Sequence, residues 1–555
     1  MRTSIWKWAA LCLPVAALLV AFAAGGVRAD DRADEAVRIA RGKLADKNPD
    51  VRAKAVEDCA RANNKNGAEA VMQGLSAEND GPAGYRMAEA VMQLNSPEAH
   101  EAIEKILTGW TKPNQLFPAY WCCIGLARQK TAGADAILKK VVNEAKEKDV
   151  HIKAAALEAL AFAERSDLSE LLLVTLKQYT AEWDTKSVIL SMTCIVGAPK
   201  LAKGAPNETR IEIVLALADV LEKTTNDRTQ YFAAKALSEI TGEDTYITPE
   251  FWRFWVKMGG KKVEGREEGA TTAGRDVPKF FKAAAVGKNV MFVIDISGSM
   301  QHPVNLPPEM KKKPPPPPKE EKKGPVTGNG KAGGNGDAGK EEEEKKPEIP
   351  PPDYSKVVSK LDLAKVELIH TLRYLPEDYK FNIVVYHTTH DLLDNSVKNL
   401  VPANEANKQK FIKKVQDLNW AALTNIHGGM IRGFCVNEKG MIDQKKEDPA
   451  WHPECLNSGA TTIFFLTDGS PTISDDTTNP GEVGRPGPGG VILPVGNGRM
   501  CIPQNIIEDI RRVNTFRKVV INTVGIGPHD RTLMQALAEM TGGEYIDRSG
   551  VADRG

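Results

Sequence analysis

Between Asn289 and Met300 the chain reads NVMFVIDISGSM. Its Val, Met, Phe, Val and Ile are apolar at successive positions rather than alternating. That is the pattern of a strand buried on both faces of a parallel sheet. The run delivers Asp295, Ser297 and Ser299 at its C-terminal end. In open α/β sheets ligands bind where such strands end, at the crevice where strand order reverses. One carboxylate and two hydroxyls are hard oxygen donors, suited to Mg²⁺ or a similar cation.

A second apolar strand, TTIFFLTDGSPT, also stops at a carboxylate, Asp468. Thr424, in WAALTNIHGG, supplies a third hydroxyl just before a helical pattern. Ser and Asp after a strand often only cap the next helix. Capping explains one strand end and leaves the second, matching one unexplained. The surrounding elements alternate. A helix in SKLDLAKVELIHTLRYL (359–375) is followed by the strand YKFNIVVYH (379–387) and the helix NEANKQKFIKKVQDL (404–418). After the second carboxylate come a helix over 505–518, a strand over 519–527, a helix over 531–542 and a closing strand GEYID. Such alternation predicts a parallel sheet.

Together Asp295, Ser297, Ser299, Thr424 and Asp468 resemble the metal-ion-dependent adhesion site of the von Willebrand factor A domain, and the resemblance covers nearly all of 285–547. It implies a doubly wound, Rossmann-like α/β domain over 285–555 with helices on both faces. It also implies that the serines and the threonine touch the metal, with the aspartates acting directly or through water. One coordination position would stay open for the carboxylate of a partner protein. The implied cofactor is Mg²⁺, or Mn²⁺ or Ca²⁺ in its place, and the implied partner a protein presenting Asp or Glu.

Residues 30–260 are all helical in pattern. DVRAKAVEDCARA (50–62), DVHIKAAALEALAFA (149–163) and DRTQYFAAKALSEITG (227–242) each open on an Asp cap and carry an Ala/Leu stripe at helical spacing. They resemble HEAT-type repeats, which stack into a solenoid. Trp252, Phe254 and Trp255, on one short helix, are expected to cap the last repeat, and 261–284 reads as a linker. Three insertions interrupt the second domain. Residues 301–353, with Pro314–Pro318, a Gly/Asn run and Glu341–Glu344, are expected to be disordered, and 437–459 and 473–503 are expected to be loops.

At 555 residues the chain exceeds one core, so a multidomain protein is expected. The formal charge of +0, with acid and base interleaved, argues against nucleic-acid binding. Arg2 and Lys7, an apolar stretch from Trp8 to Ala24, and Val27-Arg28-Ala29 read as a secretory signal over 1–29, leaving no stable membrane span after cleavage. An exported protein, periplasmic or at the cell surface, is the expectation. Of the seven remaining cysteines, one pair among Cys435, Cys455 and Cys501 is a candidate disulfide. His387 and His390, in YHTTH, are expected on a solvent-facing loop, and His427 near the site. The expected function is adhesion or scaffolding rather than catalysis. A solenoid scaffold with a structural second domain is the alternative, and a metal-dependent hydrolase the weakest reading.

Overall fold

A computed structural model describes residues 29–110, 112–144, 150–179, 188–244, 248–261, 279–312, 349–475, 485–486, 492–493 and 498–551. The chain divides into two compact units, residues to 223 with 232–266, and 267–555 with 224–231. The expected leader lies outside the described residues except for Ala29. No helix among those described is long and apolar enough to cross a membrane.

The first unit runs through thirteen described helices, from α1 (Ala29–Arg41) to α13 (Pro249–Lys257). Three of the starts share one grammar, and at the first of them the cap is Asn48 rather than the expected Asp50. A polar cap accepts a backbone N–H and a proline follows within two residues, as at Asn48-Pro49, Asp80-Gly81-Pro82 and Ser96-Pro97. Alternate helices stack in two layers. α2 (Pro49–Ala60), α4 (Gly81–Val91), α6 (Leu116–Gln129), α8 (Val150–Phe162) and α10 (Val188–Ala202) pack in succession, and the intervening helices do likewise. This is the two-layered helical repeat expected of a HEAT-like solenoid. Glycine makes the closest approach possible: a Cβ on Gly84 of α4 would lie 2.1 Å from the Trp121 ring of α6. In α13, Phe251, Trp252 and Trp255 are buried while Phe254 is exposed, so the expected aromatic cap uses Phe251 instead of Phe254.

The second unit is an α/β sheet with helices on both faces. Its strands are β1 (Lys279–Phe280), β2 (Ala283–Ala284), β3 (Asn289–Asp295), β4 (Lys380–Tyr386), β5 (His390–Leu392), β6 (Val401–Pro402) and β7 (Thr462–Thr467), then β8 (Arg485–Pro486), β9 (Ile492–Leu493), β10 (Val520–Ile526) and β11 (Tyr545–Arg548). The helices are α14 (Lys360–Tyr374), α15 (Glu405–Gln416), α16 (Ile426–Cys435), α17 (Pro453–Ser458), α18 (Pro503–Asn514) and α19 (Arg531–Glu539). The main sheet has the order β11-β10-β7-β3-β4-β5, parallel from β11 to β4, with β5 and β6 antiparallel on β4.

β7 and β10 are buried at every position and β3 at all but its first, which is why their sequences do not alternate. Val290, Phe292 and Ile294 meet Leu361 and Leu368 of α14 and Phe411 of α15 in one core, where Phe292 stacks on Phe464 at 5.5 Å. Burying a ring of this size stabilises by about 1.5–3 kcal/mol. On the opposite face α16 lies close to the sheet, because a Cβ on Gly433 would stand only 3.0 Å from Val293.

Three features differ from expectation. The 437–459 stretch, expected to be a loop, carries the short helix α17. Lys279–Ala284, within the stretch read as linker, forms the β1–β2 hairpin, with Phe280 and Phe281 buried in the α/β core. The described ends of the 301–353 insertion also pack, burying Val304 and Leu306, while its Pro, Gly/Asn and Glu runs fall in 313–348, outside the described residues. Apolar residues flanking a polar tract can join a nearby core even when the tract cannot.

Candidate metal centre

Chain order reverses between β3 and β7. From β3 the chain goes first to β4 on one side and later to β7, β10 and β11 on the other. The C-terminal ends of β3 and β7 therefore flank the switch point, where a crevice opens in doubly wound sheets. Asp295 ends β3 and Asp468 follows β7, and the pairing of Ile294 with Leu466 sets the two ends side by side.

Asp295 is fully buried, and both its oxygens are bonded. Oδ1 accepts from the backbone N–H of Ser297 at 2.7 Å and Oδ2 from the hydroxyl of Thr467 at 2.6 Å. The Ser297 and Ser299 hydroxyls stand 3.1 Å apart, and Ser299 Oγ donates to Asp468 Oδ1 at 2.6 Å. Four of the five expected residues are thus brought together on one hydrogen-bonded line. Burial, then the charge of Asp468, lifts the Asp295 carboxyl to about 7, although hydrogen bonds from Thr467 and Ser297 pull the other way. Like charges sharing a desolvated site have this effect, and a bound cation would reverse it.

Thr424 is buried and reaches the same crevice through the backbone. Ala421 N–H donates to Ile296 O at 2.7 Å and Gly298 N–H to Ala422 O at 3.2 Å, holding its loop against the β3 turn. On its other side Thr424 N–H donates to Thr472 Oγ1 at 2.8 Å, and Thr472 N–H returns a bond to Thr424 O at 2.9 Å. Among the described residues no hydrogen bond joins its side chain to the other four.

Three groups were not anticipated. Thr467 orients Asp295, and a Thr directly before the strand-ending Asp is its only sequence signal. Lys360, the first residue of α14, places Nζ 2.8 Å from Asp468 Oδ2, with 5% of its side chain exposed and none of the aspartate's. Asp475 accepts from Asn425 Nδ2 at 2.8 Å and bonds His390 Nε2 at 2.6 Å. Asn425 in turn caps α16 through Gly428 N–H. His390 is therefore a buried strand residue with an acidic partner, not the solvent-facing loop residue expected; its carboxylate lies 85 residues away in the chain. His427 pairs with Asp509 at 2.9 Å rather than with the oxygen cluster. Cys435 and Cys455 are free buried thiols, with Cys455 Sγ 3.8 Å from the carbonyl oxygen of Cys435.

The donor set fits a hard cation, since every candidate ligand is a hydroxyl or carboxylate oxygen. Among the described residues no group of three or more His, Cys, Asp or Glu is placed to hold a metal, so a centre here rests on hydroxyls and only two carboxylates. One carboxylate oxygen is already shared with the Lys360 ammonium.

No protein-family model matches the chain. Over 73 residues, 13% of this chain, it is 38% identical to inter-alpha-trypsin inhibitor heavy chain H1 of Mesocricetus auratus. The match spans 7% of that protein's length and is a local likeness.

Proposed function

We propose that the second unit is a von Willebrand factor A domain that binds a divalent cation, Mg²⁺ or else Mn²⁺ or Ca²⁺, and captures an Asp or Glu of a partner protein through it. The observation supporting this is the hydrogen-bonded series from Thr467 and Asp295, through the backbone N–H of Ser297, to the Ser297 and Ser299 hydroxyls and Asp468, across the switch point. Asp295, Ser297, Ser299, Thr424 and Asp468 would hold the ion, which supplies a positive centre for the incoming carboxylate. Thr467 holds Asp295 in place, and the Ala421 and Thr472 backbone bonds hold the Thr424 loop. The protein acts by binding rather than turnover. Its helical unit offers a second protein-binding face, making the molecule a bridge, exported with residues 1–29 removed.

Calorimetric titration of the full chain with Mg²⁺ and Mn²⁺, beside Asp295→Asn, tests this. Saturable binding that disappears in a still-folded variant supports it. One observation favours a second reading: the Lys360 ammonium on Asp468 could serve as the site's own cation, leaving a purely structural domain beside the solenoid. A folded wild-type chain that takes up neither metal would favour that reading.

A further inference from the structure

We propose that Lys360 sets the charge of the metal-loaded site, weakening cation uptake and strengthening capture of an incoming carboxylate. The inference rests on the metal-binding reading above.

The lysine is fixed by what surrounds it. It opens α14 directly after the cap residue Ser359, whose hydroxyl accepts from Asp362 N–H while Asp362 accepts from Ser359 N–H. Its own N–H donates to His302 O at 3.0 Å, and Pro303 pairs with Ser359 in an antiparallel bridge. Residues 302–304, at the start of the insertion, are thus clasped to 358–360 beside the site, with Lys360 itself part of the clasp. From that anchor the ammonium reaches Asp468 at 2.8 Å in a nearly water-free setting. A buried charge pair of this kind is retained at a desolvation cost, so a role beyond stability is worth seeking.

Charge counting identifies that role. With both carboxylates ionised, Asp295 and Asp468 against Lys360 leave a single net negative charge, the serine and threonine hydroxyls being neutral. A divalent ion turns that into a single positive charge, and one carboxylate from outside closes the site at neutrality. Without the ammonium the empty site would carry two negative charges, the loaded site none, and the carboxylate-bound site one uncompensated negative charge. The same side chain therefore opposes the first equilibrium and favours the second. Coulomb energies between charges a few ångströms apart at low effective dielectric make each effect about tenfold or larger.

The test uses the full chain as wild type, Lys360→Met, Lys360→Gln and Lys360→Arg. Mn²⁺ affinity is measured by calorimetry, and acetate binding to the Mn²⁺-loaded protein by the Mn²⁺ electron paramagnetic resonance line. Lys360→Met should bind Mn²⁺ about tenfold more tightly and acetate correspondingly more weakly, while Lys360→Arg keeps the wild-type pattern. Lys360→Gln retains a donor to Asp468 without the charge and gives the same answer if the Met variant does not fold. Neutral variants, folded by circular dichroism, that bind Mn²⁺ no better than wild type overturn the inference and leave the metal reading standing. If neither wild type nor variants bind Mn²⁺, the metal reading itself fails and this inference with it.

Discussion

Thr467 donates its hydroxyl to Asp295 at 2.6 Å, joining the ends of two neighbouring parallel strands through a side chain rather than the backbone ladder. Asp295 also accepts from the backbone N–H of Ser297. Thr467→Val keeps the shape of the side chain and removes the donor. Hydrogen bonds to charged groups contribute about 1.5–3 kcal/mol. The variant should therefore fold with its sheet intact and bind Mg²⁺ about tenfold or more weakly by calorimetry. Unchanged affinity would show that Asp295 needs no orientation from β7.

Gly429 sits where α16 crosses β4, and a Cβ there would lie 2.7 Å from the Tyr386 ring. The ring cannot readily withdraw, because its hydroxyl donates to Leu466 O at 3.0 Å on the β7 side. Gly429→Ala should push α16 off the sheet, at an overpacking cost of about 1–3 kcal/mol. Thr424 precedes the first turn of this helix, so metal affinity should fall together with the melting temperature. Loss of stability without loss of affinity would place Thr424 outside the centre.

How far these features were legible depends on the distance over which each is determined. β3, β7 and β10 announce themselves because burial on both faces makes every position apolar, and Asp295 and Asp468 stand out where those runs stop. Helices α14, α15 and α19 follow from their apolar spacing to within a few residues at their ends. β5 and β6 are too short for a period to show, and both borrow their pairing from β4. The β1–β2 hairpin turns through Phe281 and Lys282 at φ of 51° and 83°, a left-handed turn made without glycine, so its usual signal is missing. The Lys360–Asp468 pair spans 108 residues and the His390–Asp475 pair 85, and no local pattern encodes either.

Asp475 shows what such a distant pair does. It holds both the buried ring of His390 and the amide of Asn425, the cap of α16. Asp475→Ala removes both bonds at once and should cost at least about 1.5–3 kcal/mol, the range for one hydrogen bond to a charged group. Because Asn425 follows Thr424, the loop between Ala421 and Asn425 should loosen. Faster amide hydrogen exchange over 421–428, with the β10 amides unchanged, would confirm it. Uniform change across the sheet would instead mean that the domain unfolds as a whole.

Asp509 is the buried centre of a second network, accepting from Arg512 Nε at 2.9 Å and bonded to His427 at 2.9 Å, while Arg512 reaches Asp448 at 2.5 Å. It ties α18 to α16 and so steadies the helix behind Thr424. Burial alone would raise the Asp509 carboxyl, but the charge of Arg512 and the bond from His427 outweigh it and hold it well below the ordinary value of 3.8. A carboxyl depressed on folding stabilises the native state above its unfolded value. That stability is lost as the pH falls through the folded value. Wild type should therefore lose this contribution in acid, below about pH 4. Arg512→Met leaves a buried carboxylate with its main partner gone and should cost about 3–5 kcal/mol at neutral pH. Adding Asp509→Asn should recover part of that loss and flatten the acid limb of the stability curve. Urea midpoints measured for the three proteins between pH 3 and 7 decide the matter. If the double variant is no more stable than Arg512→Met, then Arg512 acts through Asp448 and packing rather than through Asp509.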